Sequence, residues 1–448
     1  MLRHLCLLAA LFALIAPAPA RAQSSPSPLT VERAVAEALE HNRSLQSARR
    51  SVQASEHMEA AARGAWLPRI SVSETWQRGT QPVYVFSSLL ASRRFTAANF
   101  AIDALTHPDA TGSFHTSTGI EQTVFDGGAR QADIDAARAR SDIAALTARE
   151  AEALIATQVV ETFGQLLSAQ SALRAANGAL EHGREDLARA ARRRDAGLVT
   201  EADALSVAVH VADMEQRTIQ AEGQVDIIRA RLNQLMGAPV DQAFEPAPPD
   251  SSDDSPLAPV KTLVDEATAN RPELQRAVAT ERAADARRRA ASALFMPRVT
   301  AQAGYDLSGI QIGSRAGSWI VGGDVRWTLG LGAPERARVQ AAAVDASRAR
   351  LDVEDVRSRI TVDIVMAVKR IETARAKRRV GAASVTQARA SERIIRDRFD
   401  AGLLPVNDVL RAAAMLLDAQ AQEAAAAVDL LTAHSDLQRA LGRSPSTK

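Results

Sequence analysis

The chain has 448 residues, 46% of them hydrophobic and 24% charged, a composition that excludes wholesale disorder. Its 54 Lys and Arg stand against 53 Asp and Glu, which excludes the basic footprint of a nucleic-acid binder. Cys6 is the only cysteine, so a disulfide framework and a cysteine zinc site within one chain are excluded as well.

Residues 1–22 read as a secretory signal peptide: Arg3 and His4, an apolar run from Leu5 to Ile15, then the small-x-small site Ala20-Arg21-Ala22. The run is much shorter than the ~20 residues that span a bilayer, which argues against a membrane-anchor helix. No later stretch has the length and apolarity of a transmembrane helix. Any membrane insertion must therefore use strands.

Residues 23–237 read as a first repeat. It opens with a helix, and then Ile70, Val72 and Trp76 alternate with Ser71, Ser73, Thr75 and Gln77. That is a strand with one apolar face. A weaker alternation follows around Gly119–Phe125. Between the two lies an apolar loop, residues 79–115, carrying Val83, Tyr84, Phe86, Leu89, Leu90, Phe95 and Phe100. It reads as a longer packed loop without a function of its own, or as a segment that folds over a mouth or plugs against a neighbouring chain.

Residues 130–196 hold no proline and only three glycines, and are rich in Ala, Arg, Leu and Glu. One helix is expected throughout, about 100 Å long at 1.5 Å per residue. Gly197-Leu198-Val199 ends it, and a return helix is expected over 201–236. Residues 238–260 are rich in Pro and Asp and read as a linker.

Residues 261–442 repeat this plan, with residues 443–448 as a tail. A helix precedes strands expected at 298–307 and 319–329, a long helix at 336–401 and a return helix at 405–441. Val353, Val356, Ile360, Ile364, Ala367 and Ile371 form a packed stripe at helical spacing. Thr200 or Asn407 can cap the returning helices. Gly197 and Gly402, Leu205 and Leu410, and Gly237 and Gly442 recur at an offset of 205, Asn42 and Asn270 at 228, and Pro68 and Pro297 at 229. This is a duplication. The fold class is mostly α with a small β part. Four strands cannot close a barrel, for which about 8 are needed, and open edges are not tolerated in lipid. Strands of this length with one apolar face fit either a soluble antiparallel sheet with one wet face or, if they enter a membrane, a barrel shared among chains, for which three chains would supply twelve strands.

At this point the chain resembles the TolC family of bacterial outer-membrane efflux ducts, from about Leu29 to Gly442. The resemblance rests on the duplication, on Asn42-x-x-Leu45 and Asn270-Arg271-Pro272-Glu273-Leu274, and on Trp66-Leu67-Pro68. Val124-Phe125-Asp126-Gly127-Gly128 and both Ala-Gly-Leu turns complete it. It implies a homotrimer in the outer membrane, with a 12-stranded β-barrel and a periplasmic α-barrel of helical hairpins. It further implies a passive, non-enzymatic duct without a cofactor, which serves an inner-membrane pump through a periplasmic adaptor in efflux or type I secretion. Family members export drugs, metals, toxins or proteins. By position, Asp408 falls on a constriction aspartate and Arg411 on a second one. Asp203 falls on a gate-bond position, and its usual Tyr and Arg partners are replaced by Phe399 and Leu404. Gly197, Leu198, Val199, Gly402 and Leu403 fall on the tips that meet the adaptor. A periplasmic adaptor-like helical binding protein is the alternative, opposed by the duplication and the membrane-length strands. The histidines form no HExxH motif and no close pair suggesting a metal site.

Overall fold

The computed structural model describes residues 28–197, 199–247, 256–328 and 333–443. The signal-peptide reading, Leu198, part of the linker and the end of the tail lie outside the described residues. The elements are α1 (Val31–His41), α2 (Arg43–Arg63), β1 (Arg69–Gly79), α3 (Pro82–Ala91), α4 (Ile102–Thr106), β2 (Thr111–Phe125), α5 (Ala129–Asp195) and α6 (Glu201–Met236). They continue with α7 (Val260–Asn270), α8 (Pro272–Ala293), β3 (Arg298–Gln311), β4 (Ser314–Arg326), α9 (Ala333–Asp400) and α10 (Val406–Ala440).

The long helices α5 and α9 have 67 and 68 residues. Each folds back on its return helix, α5 with α6 and α9 with α10, and the two hairpins lie side by side through α5 and α10. The short helices α1, α2, α7 and α8 cover the hairpins near the sheet, and α8 bridges α5 and α9. Two apolar cores sit there. Val35, Leu45, Val159, Phe163, Leu166 and Leu232 build one. Ile360, Ile364, Ile371, Leu430, Leu437 and Leu441 build the other. Ile360, Ile364 and Ile371 belong to the stripe read in the sequence, and all three are fully buried. Alanine fills many of the remaining contact positions, which lets helix axes approach closely.

The repeat is visible in the joints. Asn42 ends α1 and caps α2, its Oδ1 accepting from Leu45 N at 3.1 Å. Arg271 holds the same place between α7 and α8. The structural partner of Asn42 is therefore Arg271, one residue beyond the Asn270 that sequence matching selected. Arg271 is buried and pairs with Asp363 at 2.7 Å and Glu273 at 3.2 Å. Gly237 and Gly442, both with left-handed backbone, press on these joints. A Cβ at Gly237 would collide with the His41 carbonyl oxygen, and one at Gly442 would lie 2.9 Å from the Asn270 carbonyl carbon.

The four strands form one antiparallel sheet in the order β1-β2-β3-β4. Three limits of β3 and β4 differ from the sequence expectation. β3 and β4 run on to the pair Gln311–Ser314 rather than stopping at Leu307 and starting at Trp319, and β4 ends at Arg326. Ser308-Gly309 and Gly313–Gly317 interrupt the apolar alternation, but a backbone ladder does not need those side chains. β2 likewise starts at Thr111, so the segment between β1 and β2 is 80–110 and contains α3 and α4.

Candidate functional site

The register sorts the sheet into two faces. One carries Ile70, Val72, Trp76, Ile120, Tyr305, Trp319, Val321 and Val325, nearly all strongly exposed; Trp319 is 76% exposed. The other carries Ser71, Ser73, His115, Ser117, Asp306 and Asp324. On it His115 Nδ1 lies 2.9 Å from Ser308 Oγ, and His115 Nε2 lies 3.6 Å from Asp306. β1 and β4 have no strand partner on their outer edges among the described residues. Where strands meet helices, aromatic side chains gather. Arg130 stacks 4.2 Å from the Trp66 ring centroid, and Trp327 Nε1 donates to Phe295 O at 3.1 Å. No helix among the described residues is long and apolar enough to cross a membrane.

The opposite end is built from two turns. After α5 the chain turns at Gly197, whose φ is 73°, its N–H donating to Arg194 O at 2.8 Å. After α9 the chain turns at Gly402, also at φ 73°, with Gly402 N donating to Phe399 O at 2.9 Å and Leu403 N to Arg398 O at 2.9 Å. That pair of bonds is a Schellman motif, and the left-handed position suits glycine. The chain re-enters helix differently in the two hairpins. Thr200 caps α6 in a reciprocal box: Asp203 N donates to Thr200 Oγ1 at 3.2 Å, and Thr200 N donates to Asp203 Oδ2 at 3.1 Å. In α10 the capping place is held by Pro405, which has no side-chain oxygen. Asn407 does not cap, because the helix starts one residue ahead of it.

The candidate gate residues fall into two groups on opposite sides of α10. Asp203, Phe399 and Leu404 line a cavity of about 230 Å3 between the two hairpin tips. Within it Arg193 stacks 5.0 Å from the Phe399 ring centroid. Asp408 and Arg411 line a separate groove of about 510 Å3 with Ser384, Gln387, Ser391 and Met415. Leu404 borders both. Asp408 and Arg411 are 3.9 Å apart, and Arg411 is 71% exposed, so the pair is a loose surface contact. Of the tip residues, Val199 lines the inter-hairpin cavity while Leu403 stands 73% exposed.

Further from the tips, a groove of about 540 Å3 runs between the hairpins, lined by His182, His210, Met214, Leu410 and Leu417 among others. In the sequence His210 stands only as one of the histidines that form no metal motif. Its Nε2 is buried without a hydrogen-bond partner. Burial holds its pKa below the usual histidine range; Arg217 adds to this, against the opposing pull of Asp213 and Asp186. Its sequence signal was faint: one histidine on the packed side of an amphipathic helix. Among the described residues no group of three or more His, Cys, Asp or Glu could hold a metal ion.

A sequence model of the family described as "Outer membrane efflux protein" matches the chain in two segments, residues 34–238 and 263–443. No curated protein matches the sequence significantly. Among solved structures, a membrane protein from Pseudomonas aeruginosa superposes with a TM-score of 0.78 at 20% identity, covering 92% of this chain and 93% of that one. The outer membrane protein VceC from Vibrio cholerae gives 0.75 at 18% identity, covering 92% and 96%. The Campylobacter jejuni CmeC outer membrane channel gives 0.79 at 15% identity, covering 93% and 87%. At these identities the likeness is one of fold.

Proposed function

Since the chain belongs to the outer membrane efflux protein family, we propose that it is the outer-membrane exit duct of a tripartite efflux or type I secretion system. Three copies form a passive channel. Their sheets join edge to edge, β4 of one copy on β1 of the next, into one twelve-stranded barrel. The apolar face meets lipid and the polar face lines the lumen. The hairpins extend about 100 Å into the periplasm, where their tips meet an adaptor that links the duct to an inner-membrane pump. The pump supplies the energy, and the duct performs no chemistry.

The observation that carries this reading is the pair of open edges on a sheet with one exposed apolar face. Unpaired N–H and C=O groups each cost several kcal/mol in hydrocarbon, roughly, so a lone four-stranded sheet cannot sit in a bilayer. Neighbouring copies remove both edges at once. The aromatic side chains of Trp66, Phe295 and Trp327, gathered where the strands meet the helices, fit the aromatic belt of such a barrel.

At the periplasmic end, Asp408 and Arg411 of three copies form the constriction. Asp203, Phe399 and Leu404 set how closely the two hairpins of one copy pack. Gly197, Leu198, Val199, Gly402 and Leu403 form the adaptor-docking tips. The test of the whole reading is the detergent-corrected mass of protein extracted from outer membranes. A trimer is expected; a monomer would leave the strand edges open and overturn the duct.

A further inference from the structure

We infer that residues 80–110 form a lid over the cell-surface mouth of the barrel, docked through its apolar side chains on the same segment of the two other copies. The inference rests on the trimeric duct proposed above.

The segment is anchored to one side of the sheet. α3 packs on β2 and β3. The residues with side chains that are buried at that end are Ser113 and Ser308, both on the polar face, together with Val85 of α3, while on the apolar face Arg315 is covered by lying over Phe114 and pairing with Glu74 of its own sheet. Trp76, Tyr305 and Trp319 on the apolar face stay exposed. The segment thus folds inward, over the lumen, rather than outward along lipid. Two bonds fix it. Tyr84 OH donates to Gln77 O on β1 at 2.6 Å, and Arg93 Nη2 donates to Gly317 O on β4 at 3.1 Å. Arg93 holds a left-handed backbone, φ 57°, the only described non-glycine residue that does. Glycine would occupy that helix end without strain. A strained arginine there points to its side chain, which ties the segment across the sheet from β1 to β4.

The segment is internally packed and has an uncovered surface. Phe95 stacks edge-on with Phe86 at 4.8 Å and with Phe100 at 5.1 Å between ring centroids. α3, PVYVFSSLLA, contains no charged residue. Val83 and Ile102 are 74% and 81% exposed, and Leu90 and Phe100 are about half exposed or more. The mouth has room for other copies of this segment and little else. Twelve strands about 4.8 Å apart, tilted about 45°, close at a backbone radius of about 13 Å. Three helices of about 10 Å diameter in contact around the axis reach a radius of about 11 Å. Three inward-folded segments therefore meet at the threefold axis, and their exposed apolar side chains cover one another.

Because Cys6 is the only cysteine, single cysteines report this contact cleanly in a Cys6→Ser chain. Val83→Cys and Ile102→Cys are expected to give reducible cross-linked dimers in intact outer membranes, while Val72→Cys on the apolar sheet face gives none. A trimeric mass with no cross-link at either lid position overturns the lid and leaves the duct standing; a monomeric mass overturns both. The second readout is labelling of Ser117→Cys, on the polar face below the lid, by a bulky maleimide added outside the cell. Replacing residues 82–106 with a short Gly-Ser linker should speed labelling at least tenfold. Arg93→Gly, which relieves the backbone while removing the tie, should speed it by a smaller factor. Equal rates in all three chains overturn the lid.

Discussion

Asp203 and Asp408 occupy the same third position of their return helices, 205 residues apart, yet only Asp203 is held by a cap. Thr200 binds the Asp203 carboxylate from both its N–H and its hydroxyl. Pro405, at the equivalent place, can offer neither, so the Asp408 carboxylate is left for Arg411 and solvent. The duplication has thus produced one structural aspartate and one available aspartate from the same local plan.

Removing the cap should matter only in the first hairpin. Thr200→Ala is expected to cost about 1 kcal/mol at the start of α6, seen as faster amide exchange at Asp203 and Ala204. Pro405→Thr should do the reverse in the second hairpin. It would draw Asp408 into a capping box, slow exchange in the first turn of α10, and reduce the charge Asp408 presents to the groove.

Ion selectivity should separate the two charges of the proposed constriction. Three Asp408 side chains around an axis attract cations, and three Arg411 side chains oppose them. Asp408→Ala is expected to shift the reversal potential of the reconstituted channel towards anions, and Arg411→Ala towards cations. Unchanged conductance and selectivity in both variants would remove these residues from the constriction.

Docking should depend on Leu403 more than on Val199, since Leu403 is exposed and Val199 lines the inter-hairpin cavity. Leu403→Asp is expected to abolish adaptor cross-linking and export while the trimer mass stays normal. Intact export would assign Leu403 to the turn alone.

Arg271 should be among the costliest side chains to remove. It is buried between Glu273 and Asp363, and its loss leaves two acids facing each other in the belt of short helices. Because Asp363 is about half exposed and Glu273 partly so, the cost is expected to fall below the roughly 3–5 kcal/mol of a fully buried pair. Burial works against the charged form of Glu273, but the Arg271 hydrogen bond and the helix backbone outweigh it and hold the pKa below the ordinary carboxylate value of 4.5. A lowered acid stabilises the fold above its unfolded pKa. That contribution is lost as pH falls below about 4.5, and heat unfolding at pH 3 and 6 should show it in the native chain but not in Glu273→Gln.

His210 should make the hairpin groove weaken earlier on acidification. Its folded pKa lies below the ordinary 6.5, so the unfolded chain takes up the proton first and stability falls as pH drops below about 6.5. Asp186 and Asp213 work against this shift, while Arg217 adds to it, and Glu392 and Arg396 line the same groove. The difference in melting temperature between pH 7.5 and 5.5 should shrink in His210→Gln.

The sequence by itself determined the long helices, the duplication and the existence of a half-apolar sheet. Those features are set by neighbours along the chain: proline-free Ala-rich windows, glycine at the turns, and alternation at period two. The Thr200-x-x-Asp203 pattern also lies in plain view as a capping box, and that role stands beside the reading of Asp203 as a gate residue. Only the tertiary structure decided how far β3 and β4 continue through Ser308-Gly309 and Gly313–Gly317, because a ladder depends on the facing strand. It also decided that Arg271 and not Asn270 replaces Asn42 at the joint, since that correspondence rests on which residue Gly237 and Gly442 press against. The fold of residues 80–110 onto the polar face was settled there as well. An apolar run says that it must be covered; what covers it depends on the surfaces that the rest of the chain brings near.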